Sequence, residues 1–332
     1  MNTLIFSMDI LLHFLYFAVS ACVIWFFSGL LVDSVDRVAK RFHKSGFTVA
    51  FFVLGFMTSI SELSVMVNST LNGAPQVSAG NLPGASLVIL LLIVPLLAIL
   101  GNGVQLINSF QKHHFAITLA IIALPALFLA DGVVSIFEGI FCVLMYLILV
   151  YFIRSAKTGD VPELVEEVEK ELLQKKHATR KDILTIVGGA LAIFLAGHIL
   201  VEESVYLSVA FSIPSSIIGL LILSIGTNVP EIVIAVRSFK KNHLDIAFGD
   251  YMGSAVTNTL IFGVLSIMNG NFSVEATEFQ YTFFFMLISF TILFLFAKSQ
   301  NKLTRKEGSI ILGLYVLFVL IQSVNLVRFA MT

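Results

Sequence analysis

The 332-residue chain is poor in charge: Lys, Arg, Asp and Glu make up 12% of it, about half the share of a soluble domain. That shortage excludes an ordinary water-soluble fold, although the length alone would accommodate two soluble domains. Net charge is −1, so the chain lacks the basic surplus that nucleic acid selects. Cysteine is scarce too, with Cys22 and Cys142 both inside apolar stretches. Two thiols so placed form neither a disulfide framework nor a metal cluster and behave as small hydrophobes. The first apolar segment has an uncharged start apart from Asp9, with no basic residue before it and no small-residue cleavage site. We read it as a mature spanning helix and not as a removed signal.

What fills the chain instead is apolar surface: 58% hydrophobic residues, a mean hydropathy of +0.97 and 31 phenylalanines. A membrane span needs about 20 mostly apolar residues, and ten such stretches can be drawn. They run over 10–32, 46–70, 83–107, 114–130, 133–153, 183–201, 214–237, 248–268, 280–297 and 309–327. The second, third, seventh and eighth carry Gly, Pro, hydroxyl, amide and acidic residues that a lipid-facing helix avoids. The composition predicts an all-α polytopic membrane protein with the lipid bilayer as its main partner.

Basic residues mark the cytoplasmic side of a membrane protein. The links after spans 1, 3, 5, 7 and 9 hold four, one, seven, three and four of them, nineteen of the twenty in the chain; only Arg328 falls elsewhere. A wrong span count would scramble that partition. It predicts a multi-pass protein of the cell membrane with both termini outside. The longest link, 154–182, carries the run from Pro162 to Leu173, rich in Glu. It reads as a short amphipathic cytoplasmic helix and a solvated linker.

A shift of 169 residues lays one half of the chain on the other without a gap. Leu31-Val32-Asp33 falls on Leu200-Val201-Glu202, Leu54 on Leu223, Thr58 on Thr227, Glu62 on Glu231, Gly80 on Gly249 and Gly84 on Gly253. The matches fall on polar and small positions, where chance agreement is least expected. Each half has five spans, an odd number, so the second enters the membrane from the opposite side. The expected organisation is a first repeat at 1–153, the cytoplasmic linker at 154–182 and an inverted second repeat at 183–332. Weak internal similarity with inverted topology is a signature of secondary transporters, whose site lies near the midplane between the repeats.

In span 2, Gly55, Thr58, Ser59 and Glu62 share one helix face; in span 7, Ser224, Thr227, Asn228 and Glu231 repeat it. A carboxylate in mid-span costs a few kcal/mol or more unless paired or solvated. Two of them at equivalent positions of inverted halves would meet near the centre. Carboxylates with hydroxyls form a hard-oxygen set of the kind Ca²⁺ takes, with 6–8 oxygens around it. No His/Cys cluster competes for a softer metal. Pro230, just before Glu231, removes a backbone donor and frees a carbonyl one turn earlier, near Gly226. On span 8, Ser254 and Asn258 face one way, whereas their counterparts Ala85 and Ile89 on span 3 carry no side-chain oxygen. Asp250 either lines an approach to this site or caps a helix entry.

Residues 226–231, Gly-Thr-Asn-Val-Pro-Glu, followed by Gly249-Asp-Tyr-Met-Gly-Ser-Ala-Val-Thr-Asn258, resemble the second alpha-repeat of the calcium/cation antiporter superfamily, which includes the sodium/calcium exchangers. Thr58-Ser-Ile-Ser-Glu62 with Gly80-Asn-Leu-Pro-Gly84 is similar to the first, in a degenerate form. The resemblance implies a fold in which spans 2, 3, 7 and 8 surround the ions while spans 1 and 6 slide across them. It implies exchange of Ca²⁺ for Na⁺, or in some branches H⁺, with no cofactor and no enzymatic reaction. The ligands it implies are the side chains of Thr58, Ser59, Glu62, Thr227, Asn228, Glu231, Ser254 and Asn258, with the carbonyls of Gly55 and Ser224. Ala85, Ile89, Asn228 and Asn258 depart from the family pattern and leave the coupling ion open.

Other polar residues fit blander roles. His198 and Glu138 read as satisfied interior or interfacial groups, Asp33 and Glu202 as acids at the two mouths, and Asn102 and Asn108 as helix-end groups. His113-His114 lies in a link without further ligands. Two rivals to a transporter share some of these residues. Phe248-Gly249-Asp250 is similar to part of the Gly-x-Gly-Asp of aspartyl membrane proteases, but Ala247 replaces the first Gly and the chain has no Tyr-Asp pair. A cation channel could use the same glutamates, yet an inverted repeat within one chain favours alternating access. A divergent antiporter carrying another cation is a third reading.

Overall fold

The computed structural model describes residues 2–39, 55–101, 103–105, 112–155, 180–228, 231, 232, 235, 244–300 and 302–331. Its helices are α1 (Asn2–Ala39), α2 (Gly55–Thr58), α3 (Ile60–Leu71), α4 (Pro75–Leu87), α5 (Val94–Leu100), α6 (Lys112–Leu129), α7 (Ile136–Ser155), α8 (Arg180–Ala210), α9 (Ser215–Ile218), α10 (Ser224–Thr227), α11 (Leu244–Asn269), α12 (Ala276–Gln300) and α13 (Arg305–Met331). Wide π-helical turns join α4 to α5 at Val88–Ile93 and α9 to α10 at Gly219–Leu223. Seven helical stretches among the described residues are long and apolar enough to cross a membrane. The linker after 155 and the basic link after span 7 lie outside the described residues, as do Pro230, Asn102 and Asn108.

The third apolar stretch differs from its sequence-drawn limits. Helix begins at Pro75, eight residues before the drawn start at 83, and ends at Leu100 in a turn at Gly101. Hydropathy misses the first two turns because they carry Gln76, Ser78, Gly80 and Asn81. The last three of these are buried inside protein instead of facing lipid. The entry is set locally: Gly73 takes φ +65°, a conformation that favours glycine, and Pro75 occupies the first turn, where its missing N–H costs nothing. α8 likewise extends to Ala210, beyond the drawn end at 201.

Burial separates inner from outer helices. In the most apolar 18-residue windows of Pro75–Leu100 and Phe248–Asn269, 83% and 78% of residues are buried, against 17% in Ile10–Phe27 and Ile136–Ile153. The outer helices expose Phe14, Phe26, Phe137 and Phe152, as a lipid-facing surface would. α1 and α8 pack along each other, and Phe17, Ile24, Ile193, Leu200 and Leu207 join Val65, Val77 and Leu223 in a hydrophobic cluster separate from the main one around α4, α6, α11 and α12.

The same contacts recur at the 169-residue offset. Two-residue strands β1 (Val104–Gln105), β2 (Val133–Val134), β3 (Phe272–Ser273) and β4 (Lys302–Leu303) pair as β1 with β4 and β2 with β3, both antiparallel. Glu138 is explained by the same relation. Its Oε2 accepts from the Ser135 backbone N–H at 2.7 Å and hydroxyl at 3.0 Å, while the Ser135 hydroxyl faces the Glu138 N–H at 3.4 Å. Thr304 and Glu307 form the equivalent box at 2.8, 2.7 and 3.4 Å. These capping boxes start α7 and α13 by satisfying N–H groups that a helix end leaves open. Ser135→Ala and Thr304→Ala are each expected to cost about 1 kcal/mol, read as a lower thermal midpoint of the purified protein.

Candidate cation site

Two broken helices build the site. Between α2 and α3, Ser59 leaves helical geometry at φ −74°, ψ 5°; after α10, Asn228 does so at φ −91°, ψ 9°. Each side chain at a break closes back onto the carbonyl four residues earlier. Ser59 Oγ donates to Gly55 O at 2.8 Å and Asn228 Nδ2 to Ser224 O at 2.7 Å. The preceding threonines approach the same carbonyls, Thr58 Oγ1 at 3.3 Å and Thr227 Oγ1 at 3.5 Å. The carbonyls of Gly55 and Ser224 are therefore held inside the site by its own side chains.

The threonines also reach across to the inner helices. Thr58 Oγ1 lies 3.3 Å from Asp250 Oδ1 on α11, and Thr227 Oγ1 lies 3.4 Å from Asn81 Oδ1 on α4. Positions 81 and 250 are again 169 apart. Glycine permits the close approach: a Cβ on Gly55 would lie 2.6 Å from the Gly253 carbonyl carbon, and one on Gly84 would run into Leu220 and Ser224.

Glu62 and Glu231 are both wholly buried. Glu62 Oε2 accepts from Ser61 Oγ at 2.8 Å, and that hydroxyl also sits 3.2 Å from the Thr227 carbonyl and 3.1 Å from that of Thr58. Glu231 Oε1 accepts from Ser254 Oγ at 3.3 Å, and Ser254 in turn lies 3.1 Å from Ser59 Oγ. Tyr251 anchors the backbone, donating to the Glu231 carbonyl at 3.1 Å. Asn258 Nδ2 donates to Ser86 Oγ at 3.4 Å. All ten residues singled out in the sequence are buried here, and these bonds tie the two broken helices to α4 and α11.

Acceptors outnumber donors in this cluster. Among the described residues, Glu62 Oε1, Glu231 Oε2, Asp250 Oδ2, Asn228 Oδ1 and Asn258 Oδ1 are buried without a hydrogen-bond partner, against one unpartnered amide donor of the cluster, Asn81 Nδ2. No described Lys, Arg or His forms a salt bridge with the three acids. A buried polar atom left unpaired costs about 1–3 kcal/mol, and more if charged, so five oxygens together call for a positively charged guest. No three acidic, His or Cys side chains among the described residues converge closely enough to hold one metal ion. The oxygen set is therefore mixed, with hydroxyl, amide and carbonyl oxygens beside carboxylates.

Sequence reasoning missed Ser61, Asn81 and Ser86, and left Asp250 between two roles. The offset that pairs Asn81 with Asp250 was the available signal. His198 is half-exposed and lies 3.4 Å from Glu202 one turn away. That pairing agrees with a satisfied interfacial group. Cys22 and Cys142 are both free thiols.

The family model for the sodium/calcium exchanger protein matches residues 12–154 and 181–324. The chain belongs to this family. Its members are membrane ion exchangers and not enzymes, which removes the protease reading. Among exchanger-family relatives, MaX1 of Methanosarcina acetivorans, a sodium/calcium exchanger, is 24% identical over 89% of this chain and 93% of its own. The uncharacterized membrane protein MJ0091 of Methanocaldococcus jannaschii is 23% identical over 92% and 96%. A solved structure of the sodium-calcium exchanger NCX_Mj soaked with Na⁺ and Sr²⁺ superposes with a TM-score of 0.66 at 20% identity, covering 93% of this chain and 97% of that one. At that identity the likeness establishes the exchanger fold.

Proposed function

We propose that the chain is a secondary active antiporter that exchanges Ca²⁺ for Na⁺ or H⁺ at a midplane site. Its ligands are Thr58, Ser59, Glu62, Thr227, Asn228, Glu231, Ser254 and Asn258, with the carbonyls of Gly55 and Ser224. The observation that carries the reading is the set of unpartnered buried oxygens around Glu62 and Glu231, with no protein cation paired to either among the described residues. Membership in the exchanger family and the naming of MaX1 and NCX_Mj for sodium and calcium support the choice of ions.

The architecture we propose is ten spans in two inverted halves, 1–153 and 183–332, joined by a cytoplasmic linker at 154–182 with both termini outside. The recurrence of contacts at 169 residues supports the repeat, and the partition of basic residues supports the orientation. We read the paired helices α1 and α8 as the elements that slide across the site, a reading supported by their separate hydrophobic cluster.

Obligatory exchange follows from electrostatics. Carrying uncompensated carboxylates through an occluded state costs several kcal/mol per charge, whereas a loaded site is close to neutral. The empty carrier is thus slow to convert, and a second cation must bind before it returns. A channel needs no such coupling.

The test is radiocalcium uptake into proteoliposomes against imposed Na⁺ or pH gradients, with Glu62→Gln and Glu231→Gln alongside. Gradient-driven uptake lost in both variants is expected, and the gradient that drives it identifies the coupling ion. Uptake unaffected by both substitutions would sink the site, absence of Ca²⁺ flux under any gradient would sink the substrate, and unitary currents would favour a channel.

A further inference from the structure

Asp250 stands outside the ligand set above, yet it is wholly buried and its Oδ2 has no partner among the described residues. A helix-capping role does not explain it, because Asp250 lies within α11, which begins at Leu244. Its other oxygen, Oδ1, begins an unbroken string of oxygens: Thr58 Oγ1 at 3.3 Å, then Gly55 O at 3.3 Å, Ser59 Oγ at 2.8 Å, Ser254 Oγ at 3.1 Å and Glu231 Oε1 at 3.3 Å. Both ends of that string are carboxylates.

The opposite half carries a neutral side chain at this position. There Asn81 Oδ1 faces Thr227 as Asp250 Oδ1 faces Thr58. A neutral amide therefore suffices for the contact with threonine, and the string stops because Ala85 stands where the other half has Ser254. What Asp250 adds is one negative charge and one free oxygen, in one half only. Since no three acidic side chains among the described residues converge on a single point, that charge does not complete the coordination of an ion held by both glutamates.

We propose that Asp250 anchors a position for a monovalent alkali cation adjoining the glutamate pair, a ligand role particular to the second half of this chain. The inference rests on the cation-transport reading above. One carboxylate charge surrounded by neutral hydroxyl and carbonyl oxygens complements a singly charged hard cation, whereas a divalent ion favours several carboxylates at once. The asymmetry makes the position single, with no counterpart at Asn81.

The experiment reads binding without transport. Thermal unfolding of the purified protein in detergent is followed while NaCl or KCl replaces choline chloride at constant ionic strength, for the parent, Asp250→Asn and Asp250→Glu. The parent is expected to be stabilised by one or both alkali ions relative to choline, and the ion that stabilises identifies the preferred guest. Asp250→Asn, which keeps an oxygen for Thr58, should raise the half-saturating concentration about tenfold or more; Asp250→Glu should stay within about threefold of the parent. An unchanged Asp250→Asn curve overturns the proposal. So does an Asp250→Glu curve as weakened as that of Asp250→Asn, or a parent that does not distinguish Na⁺ and K⁺ from choline. Failure here with Ca²⁺ flux intact removes only this position, while absent Ca²⁺ flux with alkali stabilisation intact counts against the transported ion.

Discussion

Glu231→Gln is expected to reduce Ca²⁺ exchange at least about a hundredfold while leaving the cation-free protein as stable as the parent or more so. The two effects share one cause. Glu231 is wholly buried with Oε2 unpartnered and only a 3.3 Å bond from Ser254 on Oε1, and Glu62 and Asp250 lie within electrostatic reach. Gln removes the charge but keeps an oxygen for Ser254. The folded state then no longer carries a desolvated anion, and activity traded for stability is the usual bargain at a functional site. Addition of Ca²⁺ reverses the order: it stabilises the parent by mass action and leaves the variant unmoved. A variant that unfolds more readily than the parent without cations would show that Glu231 is held by a protein partner and is structural. Glu62→Gln is expected to behave alike, with Ser61 in the place of Ser254 at 2.8 Å.

Much of this site was legible in the sequence because membranes make polarity conspicuous. Glu62 and Glu231 stand out in apolar stretches, and the 169-residue offset links them without knowledge of the fold. Serines and asparagines were harder. A hydroxyl in a helix can bond to its own backbone, as Ser86 does to Leu82 at 3.2 Å, so its presence says little about where it points. Ser61 is such a hydroxyl, and only the fold shows that it touches both broken helices. Span limits failed where hydropathy and burial part company: the first two turns of α4 are polar yet enclosed, and read as a link. The capping boxes carried a local signature, Ser-x-x-Glu and Thr-x-x-Glu at 135 and 304. Composition alone marks Glu138 only as a satisfied interior or interfacial group, because its capping role depends on where the helix begins.

The second large effect concerns packing. Gly80→Ala is expected to destabilise the protein by about 3 kcal/mol or more and to lower the yield of folded material. A Cβ at Gly80 would run into the backbone carbonyl of Ser216, and one at Gly219 into that of Val77. The two glycines thus let α4 and the α9 segment touch backbone to backbone, as small residues do between membrane helices. Backbone cannot move aside as a flexible side chain would, so the helices must separate. Separation would reach the site directly: Asn81 follows Gly80 and bonds Thr227 at 3.4 Å, while Gly84 one turn on packs against Leu220 and Ser224. Gly188→Ala and Gly313→Ala give the contrast. Nothing among the described residues lies within 4 Å of a Cβ at either position, and both are inside helices, where Ala is favoured over Gly by up to about 1 kcal/mol. Unfolding midpoints measured in one detergent should therefore place Gly80→Ala well below the parent and the two controls at or above it. Equal midpoints for all three would mean that α4 and α9 do not approach as closely as their glycines allow.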